Sequence, residues 1–203
     1  MANTSKINGF RPVKHLNGSP YCGQSNIYFT PSTDGTAIYV GDVVKLAGSA
    51  DSVGTPTVTL AAAGDAVVGI VVGIVNTKVD PVTGKLSSGS ISLDTPQYRV
   101  ASTNTYLLVA DSSDVIFEVE SSNGTPAATE VGLNINHAIG TPSATTGTSG
   151  ATIDFGTDAT TAALTFKILG FVNRPDNEIG ASAKMHVKIN NHQFNGGTGT
   201  LGV

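Results

Sequence analysis

Charge is scarce in this 203-residue chain. Asp, Glu, Lys and Arg make up 13% of it, against roughly 25% in an average soluble domain. That is too little for a solvated disordered chain or for helices with salt-bridged faces. The net charge is −4, which disfavours direct electrostatic binding of nucleic acid. Tryptophan is absent and aromatics are 6%. A single cysteine, Cys22, excludes an internal disulfide framework and a Cys-rich zinc site. Met1 to Asn8 has no apolar h-region, so no export signal is expected. The longest apolar run, Ala66 to Val75, is too short for a membrane helix and holds two glycines. The expectation is a soluble protein made in the cytoplasm.

What is abundant is strand and turn. Glycine contributes 24 residues. Short β-branched runs alternate with Gly, Pro, Asp and Ser clusters. The pattern predicts strands at Ile27–Phe29, Thr36–Val40, Asp42–Leu46 and Thr57–Leu60. The Ala66–Val79 run reads as a long, bent, buried strand, because Val and Ile dominate it and Gly69 and Gly73 interrupt it. A turn at Asp80–Gly84 and a strand near Ile91–Leu93 complete a predicted hairpin. Further strands are predicted at Gln97–Ala101, Tyr106–Ala110, Asp114–Glu120, Leu164–Asn173 and Lys184–Asn190. No solenoid or propeller repeat is visible. About ten short strands with hardly any helix predict an all-β fold, either a β-barrel or a jelly-roll-like sandwich.

Two regions break the pattern. Residues 121–162 are rich in Ser, Thr, Gly and Ala, and read as a loose excursion with a single helical turn near Thr129–Asn136. The tail, residues 196–203, also reads as loose. Residues 1–24 read as an extended N-terminal arm ahead of a β body at 25–203. Pro12 and Pro20 favour extended backbone, and no helical period is present. The arm carries +3 from Lys6, Arg11 and Lys14, while the remainder carries −7. Its spaced apolar residues, Ile7, Phe10, Val13, Leu16 and Tyr21, must dock on the body or on a neighbour. Deleting the arm is expected to leave the body folded.

Catalytic signals are thin. His15, His137, His186 and His192 show no metal-ligand spacing, and His186 and His192 read as surface residues. Glu118 and Glu120 share a strand face, where a glycosidase would need two carboxyls facing each other across roughly 5–9 Å. Arg174-Pro175-Asp176-Asn177-Glu178 lacks a calcium-loop pattern and reads as a turn in which Arg and Asp pair. Gly-x-Ser-x-Gly and phosphate-cradling glycine motifs are missing. No enzyme activity, cofactor or metal is expected.

Several stretches resemble one known family. They are Asn8-Gly9-Phe10-Arg11-Pro12-Val13-Lys14-His15-Leu16-Asn17-Gly18, then Val40-Gly41-Asp42-Val43-Val44-Lys45-Leu46 with Val67-Val68-Gly69-Ile70-Val71. At the far end stand Ile168–Gly180 and Lys188–Gln193. Together they are similar to the capsid cement, or head decoration, proteins of tailed bacteriophages. The resemblance implies a homotrimer on the virion capsid surface that braces neighbouring copies of the major capsid protein. It implies no membrane, no direct contact with nucleic acid and no catalytic residues. Phe10, Arg11, Val13, Lys14, Leu16 and Tyr21 of the arm are the expected partner contacts. Arg11 is expected to meet a capsid carboxylate, and Phe10 or Tyr21 to fill a pocket. The competing expectation is a tail or fibre component that binds a host-surface glycan.

Overall fold

The computed structural model describes residues 3–75, 96–196 and 198–202. Of the expected hairpin, the last residues of the Ala66–Val79 strand, the turn at Asp80–Gly84 and the strand near Ile91–Leu93 lie outside the described residues. Eleven strands are present among them: β1 (Arg11–His15), β2 (Asn26–Thr30), β3 (Val43–Ala50), β4 (Pro56–Leu60), β5 (Gly69–Val75), β6 (Thr105–Ala110), β7 (Val115–Ser122), β8 (Asn134–Ala138), β9 (Thr152–Ala159), β10 (Phe166–Phe171) and β11 (Lys184–Ile189). Only two single turns of 3-10 helix accompany them, Ala128–Glu130 and Gln193–Asn195. The fold is all-β, as the alternating runs imply. Among the described residues no helix is long and apolar enough to cross a membrane.

The first five body strands close into a barrel in the order β2-β4-β3-β5-β6. The remaining strands form a six-stranded sheet, β1-β7-β11-β10-β8-β9, which curls until β9 meets β7. Leaving β1 aside, this second ring repeats the first strand for strand. β2 pairs with β4 in parallel at Phe29 and Thr57, as β7 pairs with β9 at Ser121 and Ile153. All other pairings in both rings are antiparallel, between corresponding strands.

The irregularities repeat too. β5 shifts register against β6 between Val71 and Gly73, and β10 shifts against β11 between Ile168 and Gly170. Gly41 and Gly132 have φ of +97° and +99°. Gly41 N–H donates to the Val71 carbonyl and Gly132 N–H to that of Ile168. These positions need the left-handed region, which glycine enters without a Cβ penalty. The chain is therefore a tandem of two rings of one topology.

The rings share a core. Val43, Ala61, Val67, Ile70 and Ala110 of the first belong to the same buried cluster as Phe117, Ile135, Ile153, Phe166, Met185 and Val187 of the second. A second cluster, including Tyr28, Val44, Val58 and Leu107, fills the first ring. Backbone bonds stitch the seam: Val67 N–H donates to the Asn191 carbonyl, and Gln193 N–H to that of Val67.

Four expectations change. Thr36–Val40 and Gln97–Ala101 are not strands but hold isolated bridges, Ile38 to Arg99 and Val40 to Thr148. The cause is Arg99, which is 1% exposed. Its guanidinium donates to the carbonyls of Pro31, Asp34, Thr36 and Thr103, so the chain wraps around it. Residues 121–162 are ordered and supply β8 and β9. Their small residues permit close backbone contact, and a Cβ on Gly140 would fall 1.9 Å from the Gly150 carbonyl oxygen. The helical turn is only Ala128–Glu130, and Asn134 already begins β8. Residues 198–202 are tied down, through Asn134 and Asn190 to Thr200 and from Gly202 N–H to the Thr160 carbonyl.

Candidate docking surface

The N-terminal segment laces the two rings together. Asn3 bonds the backbone of Glu178 and Ala181, and Lys6 N–H donates to Glu120 at 2.9 Å. Gly9 has φ +60°, and a Cβ there would lie 2.8 Å from Ser149 and 2.9 Å from the Gly41 oxygen. Only glycine fits this crossing. Beneath it, Asp42 accepts from Ser149 Oγ and from Tyr39 N–H. Burial pushes its carboxyl above the ordinary value.

Phe10 follows directly. It is 1% exposed, stacks on Phe166 at 4.6 Å, and donates its N–H to the Gly41 carbonyl. β1 then adds to the free edge of β7, with Arg11 opposite Glu118 and His15 opposite Val115. The chain doubles back at Asn17–Pro20 and covers the outer side of β1, where Tyr21 N–H donates to the Val13 carbonyl.

The six expected contact residues are thus divided. Phe10 is a core residue and does not reach a partner's pocket; the energy of stacking and burial keeps it inside. Val13 and Tyr21 are half-buried, while Arg11, Lys14 and Leu16 are exposed. Leu16 is 53% exposed. Of the two dockings expected for the N-terminal segment, the structure shows the one on its own body, through β1 and Phe10.

At the seam an open groove of about 400 Å³ remains. Phe10 and Val71 floor it, and Val40, Val72, Pro12 and Tyr21 make its apolar walls. Asn8, Arg11 and Thr148 add polar groups. Arg11 donates to Asn8 Oδ1 at 3.0 Å and has no ion pair among the described residues. Its cross-strand neighbour Glu118 is occupied by Arg174, in a two-bond fork of 2.8 and 3.1 Å. Arg174 also lies 3.4 Å from Asp176, the pairing expected of that turn. Glu120 is held by Lys6 N–H and lies 3.8 Å from Lys184. Glu118 and Glu120 are thus both engaged by cations or donors of the chain itself. A polar cleft of about 350 Å³ runs past Lys6, Glu118, Arg174 and Lys184.

Two histidines expected at no special position sit in the seam. His137 is 1% exposed and His192 is 2% exposed. His192 was expected at the surface, but residues 190–193 turn under the first ring. His192 Nδ1 accepts from Phe194 N–H, so Nε2 carries the proton and donates to the Asp111 carbonyl at 2.9 Å. His137 Nε2 meets the Ala61 carbonyl at 3.1 Å, and its Nδ1 has no partner among the described residues. Burial lowers both imidazoles below the ordinary value of 6.5. His186 is half-buried on β11 opposite Glu118. No group of three or more His, Cys, Asp or Glu converges among the described residues. Tyr39 and Tyr98 stack on each other at 4.5 Å, so each covers one ring face of the other.

No protein-family model, no curated protein and no solved structure matches this chain.

Proposed function

We propose that this chain is a structural decoration protein that docks on a viral shell and braces neighbouring shell subunits. The observation that carries the reading is the seam: two like rings, fused through one core, with a basic, apolar-walled groove open between them. A brace must be rigid between its points of attachment. Here a shared hydrophobic cluster and the lacing of residues 3–21 supply that rigidity. Two rings fused through one core suit a brace, because the body holds two faces at a fixed separation.

Electrostatics points the same way. Lys6, Arg11 and Lys14 cluster on the segment that borders the groove and make no ion pair among the described residues. Such unbalanced cations steer an acidic partner surface and fix its register. The resemblance noted in the sequence agrees in class, and a trimer remains the assembly it implies.

The test is co-sedimentation of the full chain with empty shells assembled from the major capsid protein of the virion it is proposed to decorate. Saturable binding, with a rise in the temperature at which the shells open, is expected. Absence of binding at any concentration overturns the reading.

A further inference from the structure

We infer that the seam groove takes a segment of the docking partner that inserts one bulky apolar side chain and places a carboxylate on Arg11. The proposal rests on the docking reading for the partner's identity, and on the groove alone for its chemistry.

The volume sets the scale. About 400 Å³ falls within the roughly 300–1,000 Å³ typical of small-ligand sites. It has room for one large side chain and its flanking backbone. The lining sets the type of side chain. Phe10 and Val71 are fully buried beneath the floor, and Val40, Val72 and Pro12 are half-buried around it. They offer apolar contact without a hydrogen-bonding group of their own side chains. Burying an apolar group there gains the usual transfer energy, whereas a buried polar head would go unpaired.

Arg11 sets the charge. Its guanidinium keeps one bond, to Asn8. Glu118, the carboxylate placed opposite it across β1 and β7, is spent on Arg174. Arg11 is exposed and borders the apolar wall. It also lines a small cleft with Lys6, Glu118, Glu120 and Lys184, whose two carboxylates are engaged by Arg174, the Lys6 N–H and Lys184. An incoming carboxylate finds the guanidinium N–H groups that Asn8 leaves unused, and a guanidinium can bind a carboxylate in two parallel bonds. A basic or uncharged partner segment gains nothing from it.

The roles expected from the sequence are therefore exchanged in part. Phe10 does not enter the partner; it floors the site that the partner enters. Arg11 keeps the carboxylate-binding role.

The probe is N-acetyl-L-phenylalanine, which carries a ring and a carboxylate, compared with its neutral amide. Binding to the full chain is followed by NMR at the methyl groups of Val40 and Val72 and the ring of Tyr21. The acid is expected to shift these signals, and the amide to bind roughly threefold more weakly, the size of an exposed ion pair. Arg11→Gln, a change on an exposed side chain, is expected to remove that difference, and Val72→Asp to weaken both ligands. No shift at the groove, or equal binding of acid and amide, overturns the inference. The shell assay separates the two readings. If the probe binds the groove and shells do not sediment the chain, the docking reading fails and the groove chemistry stands. If shells bind wild type and Val72→Asp alike, the groove inference fails and the docking reading stands.

Discussion

Phe10 lies between the two rings with 1% of its surface exposed and its ring stacked on Phe166. In the sequence it is one of several spaced apolar residues in a proline-containing stretch, and nothing local distinguishes it from exposed Leu16. Its role is fixed by Gly9 and Gly41, whose backbones cross closely enough to aim it inward. Truncating a buried Phe costs about 3–5 kcal/mol. Phe10→Ala should lower stability by that amount in urea denaturation. A loss below about 1 kcal/mol, the level of an ordinary surface change, would show that Phe10 does not anchor the seam. His137 and His192 are equally hidden from sequence reasoning, because neither lies in a regular apolar pattern. Both titrate below 6.5 when folded, so the unfolded chain binds protons first as pH falls. Their contribution is complete above about pH 6.5 and is lost as pH drops through the folded values. Protonated His192 would turn an N–H against the Phe194 N–H, and protonated His137 would bury a charge against Phe166. Asp42 acts in the opposite sense, since its raised carboxyl favours the folded chain at low pH and loses that contribution as pH rises. Stability measured from pH 8 to pH 5 should therefore fall on the acid side, and His192→Gln should flatten that fall. An unchanged slope in the variant would remove His192 from the cause.

Among the elements, β5 shows how far the sequence could be read. Its Val and Ile content identified a buried strand, and Gly69 and Gly73 marked it as bent. Both are visible in the described part of that run, where the strand is Gly69–Val75 and leaves out residues 66–68. Gly73 stands at the register shift against β6. Gly69 is required by a close approach, since a Cβ there would lie 2.3 Å from the Ala110 carbonyl oxygen. Gly69→Ala should cost about 1–3 kcal/mol, the usual range for overpacking, and a neutral result in denaturant titration would contradict the packing. β8 and β9 were not legible. Asn134 and His137 put polar side chains at buried positions, so the alternation of apolar and polar residues fails there. Asn134 is instead satisfied by the carbonyls of Thr161 and Thr200, partners far away in sequence. The sequence of β1 indicates extended backbone but no strand, because its ladder partner lies about a hundred residues on, at Val115–Glu118.

At the scale of the whole molecule, the tandem of rings is carried by geometry more than by identity. Val40-Gly41 matches Val131-Gly132, and Gly73-Ile74-Val75-Asn76 matches Gly170-Phe171-Val172-Asn173 except at Ile74 and Phe171. Many other corresponding positions differ, as with Lys45 and Asn136, and the stretch between β5 and β6 is longer than that between β10 and β11. No fixed sequence period survives that difference. The all-β class needed only local alternation; the pairing of like rings needed the ladder register. The candidate site was legible in part: Arg11 and Tyr21 border the groove, but Val40, Val72 and Thr148 come from segments that only the fold brings beside them. The same lacing changes the expected effect of truncation. Removing residues 1–15 deletes β1 and Phe10, so the truncated chain should lose much of its cooperative unfolding transition in calorimetry. A truncated chain that unfolds like the full one would make the segment an arm after all.

Docking of a shell subunit at the seam between the two rings is tested most directly by electron cryomicroscopy of shells saturated with the full chain. Density from the shell subunit should enter the groove between Val40, Val72 and Tyr21 and reach Arg11. Shells that bear no copies of the chain, or copies attached by another face with the groove open to solvent, would contradict it.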